Sequence, residues 1–184
     1  MQSVSKMKPS EDWFVGDVDD ILIAVEGAAS KVASKDVKPS GAIPVVSQED
    51  GPVISGYVDD GTPITDLPVV VFGDHSCTFK YVDFPFVRGA DGTQLLKFDG
   101  ALFDAKFMCY YLRGIELPNA NSYERHMKYL KAAKIAVPPL AEQKKIGTDI
   151  EKCEHEIAVA EARLVSAAAD KSAILAVLLK HGNE

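Results

Sequence analysis

Apolar positions along the chain follow two different periods. Between residues 41 and 118, short runs rich in β-branched and aromatic side chains recur at 42–46, 53–58, 67–72, 77–82 and 95–98. Turn-forming residues separate them: Glu49-Asp50-Gly51-Pro52, Asp59-Asp60-Gly61, Gly73-Asp74 and Asp91-Gly92. This spacing predicts a twisted, mainly antiparallel sheet. Residues 104–113 place Phe107, Met108, Tyr111 and Leu112 near helical spacing and predict a short helix. Residues 122–134 mix basic and aromatic side chains and suit a second helix or a turn. The first 40 residues are less regular. Trp13, Phe14, Val15, Val18, Ile21, Leu22, Ile23 and Val25 fit a strand followed by a short helix. The small, polar stretch 27–41 reads as a loop carrying Lys31, Lys35 and Lys38.

Beyond residue 140 the period changes. Ile146, Ile150, Cys153, Ile157, Ala160, Leu164, Ala167, Lys171, Ile174 and Leu178 are spaced alternately four and three apart, a heptad ladder broken once by Lys171. No proline falls within 141–180, and Gly147 is the only glycine there. Pro138 and Pro139 stop what precedes, and Glu142 in the first turn suits the helix dipole. A single helix of about 40 residues, near 60 Å long, is predicted. Its stripe needs a partner helix, most simply from a second chain. A helix folded back over its own domain is the alternative. The expected architecture is α+β: a β-rich domain with short helices over 1–139, then one long coiled-coil helix over 140–184.

Composition adds exclusions. The 184 residues are 47% hydrophobic and 26% charged, which suits a globular chain. No apolar run approaches the roughly 20 residues that cross a bilayer. The N-terminus lacks the apolar core of a secretory signal. Cys77, Cys109 and Cys153 lie far apart and form neither a disulfide framework nor a zinc spacing, so a reducing cytoplasm is expected. The formal net charge of −7 opposes a protein that grips nucleic acid by electrostatics alone. That charge is unevenly spread. Residues 1–79 carry 5 basic and 13 acidic side chains, residues 80–145 carry 11 and 7, and residues 146–184 carry 4 and 7. The middle of the chain is a basic island.

No set of residues reads as an active site. Asp74-His75-Ser76-Cys77 holds nucleophile-type residues, but neighbours in a strand or turn point apart, and a polar turn is the better account. A small hydrolase using His75 or Cys77 is accordingly disfavoured. His75, His126, His155 and His181 show no ligand spacing, and neither Asp19-Asp20 nor Asp59-Asp60 lies in a calcium-type loop. Arg125, Lys128, Lys131 and Lys134 recur every third residue with Tyr123 and Tyr129 among them. Basic residues interleaved with aromatics suit phosphate contact and base packing; a solvated basic face is the bland alternative.

One stretch is more specific. Tyr129-Leu130-Lys131 is followed by Ile135-Ala136-Val137-Pro138-Pro139-Leu140-Ala141-Glu142-Gln143-Lys144-Lys145-Ile146. This resembles the junction in specificity subunits of type I restriction–modification systems, where an apolar strand, a Pro-Pro-Leu-x-Glu-Gln element and a long helix follow one another. Gly41-Ala42-Ile43-Pro44-Val45-Val46-Ser47, Leu67-Pro68 with residues 69–73, residues 81–86 and Leu95-Leu96 are similar to further segments of that family. The resemblance runs from about Trp13 to Gly182. A full specificity subunit has two recognition domains and two helices; this chain has one of each and resembles a half subunit, or one half cut from a longer protein.

The resemblance implies a non-catalytic subunit that reads double-stranded DNA. It implies a homodimer through antiparallel helices, a bipartite target and docking of methyltransferase and restriction subunits. No cofactor is expected on this chain; S-adenosylmethionine, ATP and Mg belong on the partners. Expected DNA-binding residues are Lys31, Lys35, Lys38, Ser47, Gln48, His75, Lys80, Arg88, Asn119, Asn121, Ser122, Tyr123, Arg125 and Lys128, with Tyr123, Arg125 and Lys128 foremost. The expected dimer interface is Ile146, Ile150, Cys153, Ile157, Ala160, Leu164, Ala167, Ile174 and Leu178. Two other readings compete: a coiled-coil adaptor with no DNA role, and the recognition domain of a fused restriction–methylation enzyme.

Overall fold

The computed structural model describes residues 10–27, 29–90, 92–120 and 124–181. The fold is α+β, in two units, Met1–Lys144 and Lys145–Glu184. In the first unit, strand β1 (Phe14–Asp17) leads into a 3-10 turn over Val18–Ile21 and the short β2 (Leu22–Ile23). Then come β3 (Lys31–Val32), β4 (Ile43–Val46), β5 (Gly56–Val58), β6 (Val69–Gly73), β7 (Phe79–Val82), β8 (Val87–Gly89) and β9 (Thr93–Phe98). Helix α1 (Ala105–Arg113), the single-turn helix α2 (Met127–Lys131) and β10 (Lys134–Val137) complete it. Helix α3 runs Leu140–His181.

Three sheets result. An antiparallel four-stranded sheet has the order β2-β9-β6-β7; a mixed one has the order β3-β8-β4-β5; β1 pairs with β10. The twisted, mainly antiparallel sheet expected from the sequence is therefore corrected in two respects: among the described residues the strands divide into three sheets, and one of these is mixed. Strand β8 pairs in parallel with both β3 and β4. Neither β3, two residues inside the expected loop, nor β8, three residues after Pro85, is long enough to leave a periodic signal. Strand β6 is buried throughout, as a central strand should be. Its residues alternate: Val69 and Val71 join Val46, Ile64, Val82 and Phe86 in one core cluster, and Val70 and Phe72 point to the other face. Helix α1 packs against β6 and β7. The Asp104 carboxylate caps it by accepting from the Phe107 N–H at 2.8 Å.

The basic segment does not form the helix face that its three-residue spacing suggests. Only Met127–Lys131 is helical; Arg125 precedes it, and Lys134 stands in β10, opposite Asp17 of β1. Ile135 and Val137 are buried in alternation, so the strand pattern prevails over the basic repeat. Pro138 also favours an extended residue before it.

The Pro-Pro-Leu-x-Glu-Gln element fixes the start of α3. Gln143 is 1% exposed. Its Oε1 accepts from the Asp104 N–H at 2.8 Å, and its Nε2 donates to Leu102 O at 2.9 Å and Pro138 O at 2.8 Å. One amide thus ties the first turn of α3 to the cap of α1 and the turn before it. Within the second unit the heptad residues Ile157, Leu164, Ile174 and Leu178 are 57–72% exposed. Leu175, Val177 and Leu179 are exposed too, so the helix is apolar on several sides near its end.

Gln143→Ala removes three hydrogen bonds, each contributing about 0.5–1.5 kcal/mol net. Denaturant unfolding should show a loss of about 2–4 kcal/mol. Gln143→Glu should not restore it, because a carboxylate cannot donate to Leu102 O or Pro138 O; full recovery in that variant would contradict the donor role.

Candidate nucleic-acid interface

Strand β6 ends at Gly73, and the turn 74–78 leads into β7. Asp74 at the head of this turn is 2% exposed, and a carboxylate so placed must be satisfied from within the protein. Its Oδ1 accepts from the Met127 N–H at 2.7 Å. Its Oδ2 lies 3.4 Å from both Gln94 Nε2 and Arg125 Nη1. Its backbone N–H donates to Gly92 O at 2.7 Å, and its carbonyl accepts from the His126 N–H at 2.8 Å. His126, fully buried, sets Nδ1 3.0 Å from Asp74 O and Nε2 3.1 Å from Asn119 O. The 124–127 segment is thereby laid across the end of the central sheet.

The loop after β4 joins the same turn. Gln48 O accepts from Ser76 Oγ at 2.5 Å and Thr78 Oγ1 at 2.8 Å, and Gln48 Oε1 accepts from the His75 N–H at 3.2 Å. Gly92, at φ +73°, lies against that side-chain amide: a β-carbon there would come within 2.4 Å of Gln48 Oε1. A glycine is needed both for the backbone angle and for the approach. Ser47 Oγ lies 2.5 Å from Ser55 Oγ and also bonds Glu49. His75 Nδ1 reaches Glu124 O at 3.0 Å.

Much of the basic island is matched by acids of the same chain. Lys131 pairs with Asp19 at 2.8 Å, Lys134 with Asp17, and Lys97 with Asp66 at 2.8 Å. Lys128 lies 3.7 Å from Glu124 and 4.5 Å from the Tyr129 ring centre. Hydrogen bonding to Tyr129, with Glu124 beside it, holds the Lys128 ammonium above its ordinary value. The acidic first third and the basic island thus compensate one another.

Of the residues singled out from the sequence, Gln48, His75 and Arg125 come together around Asp74. Asn119 is linked to them through His126, and Lys128 through Glu124. Ser47 adjoins Gln48 in the loop after β4. Asn121, Ser122 and Tyr123 lie outside the described residues. Lys35 is exposed in a 3-10 turn over Ser34–Asp36, and Lys38 is held by Asp59 at 2.6 Å. Lys31 and Arg88 stand side by side in the mixed sheet. Lys80 is not displayed at a surface: it is 5% exposed, and its Nζ donates to Pro52 O at 3.0 Å. Burial pushes the Lys80 ammonium below its ordinary value. Among the hydrolase-type residues, Ser76 and His75 have the backbone partners just given, and burial, then the charge of Asp74, pushes the Cys77 thiol up, away from the reactive thiolate. Asp74, Gln94 and Glu124 were missed because a search for basic readers passes over acids and central-strand residues. The Gly73-Asp74 turn signal was their only trace in the sequence.

No family model matches the chain, and no curated protein does. Solved structures do. The HsdS subunit from Thermoanaerobacter tengcongensis superposes with a TM-score of 0.53 at 15% identity, over 84% of this chain and 40% of that one. A chain of the type I R-M system solved for its complex assembly and conformational transition gives 0.61 at 14%, over 91% and 44%. The S subunit of the type I restriction-modification system from M. genitalium gives 0.54 at 18%, over 82% and 41%. This chain spans less than half the length of each, and over that span it has the fold of the type I restriction-modification S subunits.

Proposed function

We propose that the chain is a DNA sequence-recognition subunit of a type I restriction–modification system, with no catalytic residues of its own. The observation that carries this reading is the fold likeness, which covers 82% or more of the chain. The Asp74 cluster supports it chemically. Gln48 is held to the 74–78 turn that carries His75, and Arg125 touches the buried Asp74 carboxylate at the head of that turn, so three segments present polar side chains from fixed positions, as rigid readout of base edges requires. Arg125 is 67% exposed and its contact with Asp74 is a long 3.4 Å, so it is positioned by the cluster yet available to a ligand.

Two copies pair through α3 in antiparallel fashion. The exposed heptad side chains of the second unit support this, since such a stripe is stable in water only when covered. A twofold reader takes a bipartite, palindromic target. The extra apolar positions near the end of α3, Leu175, Val177 and Leu179, suit cover by more than one helix, which methyltransferase and restriction subunits would supply. S-adenosylmethionine, ATP and Mg act on those partners.

Comparing methylation in the native host with and without this chain tests the reading. Loss of methylation at one bipartite motif is expected; no change in a host expressing a partner methyltransferase would refute it. Arg125→Ala should weaken DNA binding about 5- to 100-fold or relax preference at one base position, about 1–3 kcal/mol. Asp74→Ala should do the same by freeing the 124–127 segment, with a loss of stability as well. Lys80→Met should leave DNA binding unchanged; a loss there would mean that the ammonium reaches DNA after all. Leu164→Asp should convert the dimer to monomer in sedimentation, and a persisting dimer would place the interface elsewhere.

A further inference from the structure

Lys38, Lys97, Arg125, Lys128, Lys131 and Lys134 of the first unit are matched by acids, but two neighbouring cations are not. Lys31 in β3 and Arg88 in β8 are direct partners in a parallel ladder, so their side chains leave the same face of the sheet side by side. Like charges so placed repel one another. Neither has a hydrogen-bond or ion-pair partner among the described residues, and Arg88 Nε is buried. Asp66, which might have served, is already held by Lys97 and by the Glu26 N–H. On its other side Arg88 is paired with Val46, a core residue of 0% exposure. The guanidinium therefore stands at the rim of the layer between the two large sheets.

A recess of about 320 Å³ opens there, lined by Arg88, Val25, Ala29, Ile64 and Leu95, with Gln94 beside them. A partly buried, unpaired guanidinium is costly in the empty protein, and an anion removes that cost. Arginine's planar fork matches a tetrahedral oxyanion, and a neighbouring lysine adds a point charge.

We infer that this recess is an oxyanion site that takes a phosphate group, with Arg88 as its inner donor and Lys31 at its mouth. The group is a backbone phosphate of DNA or a free phosphate ester; only the first source rests on the function proposed above.

Inorganic phosphate, titrated against the full chain at constant ionic strength, tests the site by calorimetry and thermal unfolding. Saturable binding that raises Tm is expected. Arg88→Met should raise Tm in phosphate-free buffer, because it removes an unpaired buried charge, and should abolish the phosphate response. Lys31→Gln, at an exposed position, should weaken binding about tenfold and, by relieving the repulsion of Arg88, should not lower the phosphate-free Tm. No response in the native chain beyond that of chloride, or an undiminished response in both variants, would overturn the proposal. The salt dependence of short-duplex binding then separates the sources. If DNA supplies the phosphate, Arg88→Met lowers the slope by about one. If the slope does not change, or the chain binds no duplex while the Arg88-dependent phosphate response persists, the site holds and its ligand is a free ester. Absence of duplex binding would count against the DNA reading alone.

Discussion

A buried carboxylate governs the layout of the first unit. Asp74 closes the central strand β6 and is almost inaccessible to water. Leaving such a group unpaired would cost far more than one surface contact returns. The chain satisfies it with a main-chain N–H from Met127, with Gln94 from the neighbouring strand and with Arg125. It also satisfies the adjacent carbonyl with His126, itself fully buried. The 124–127 segment has no long helix or strand of its own to fix its place. Its position follows from the desolvation of Asp74, and the groups that it carries inherit that rigidity.

Pairing within the chain also explains how a protein of net charge −7 holds a basic island. Asp17 of β1 meets Lys134 of β10, and Asp19 in the following 3-10 turn meets Lys131 of α2. Glu124 meets Lys128, and Asp66 meets Lys97. Exposed pairs of this sort add little stability, but they neutralise a surface that would otherwise attract any polyanion.

The strands with β-branched runs, helix α1 and the long helix were legible because each has a period of its own. The α1 cap was legible as Asp104 ahead of an apolar repeat. The parallel pairing of β8 was not, since a three-residue strand has no measurable period and its partners lie more than 40 residues away in sequence. The site was half legible. Composition pointed to Gln48, His75 and Arg125, but nothing local reveals that Lys80 turns inward to Pro52, because a lysine reads alike whether displayed or buried. Asp74 stood in view as a turn residue, and only its burial gives it its role. Gln143 was visible as part of a motif; the reason for a glutamine there appears only when Asp104, Leu102 and Pro138 are found around one amide.

That amide bears on how α3 begins. Two prolines followed by a helix would give an abrupt start but not a fixed one, since proline removes donors and supplies none. Gln143 supplies what they lack. It donates to the carbonyls of Pro138 and Leu102, and accepts from the backbone at the head of α1, so the first turn is held within the first unit by three hydrogen bonds. Alanine at this position would preserve helix propensity and the heptad stripe while leaving that turn without these bonds. The cost of desolvating the glutamine amide is met because each of its polar atoms finds a backbone partner.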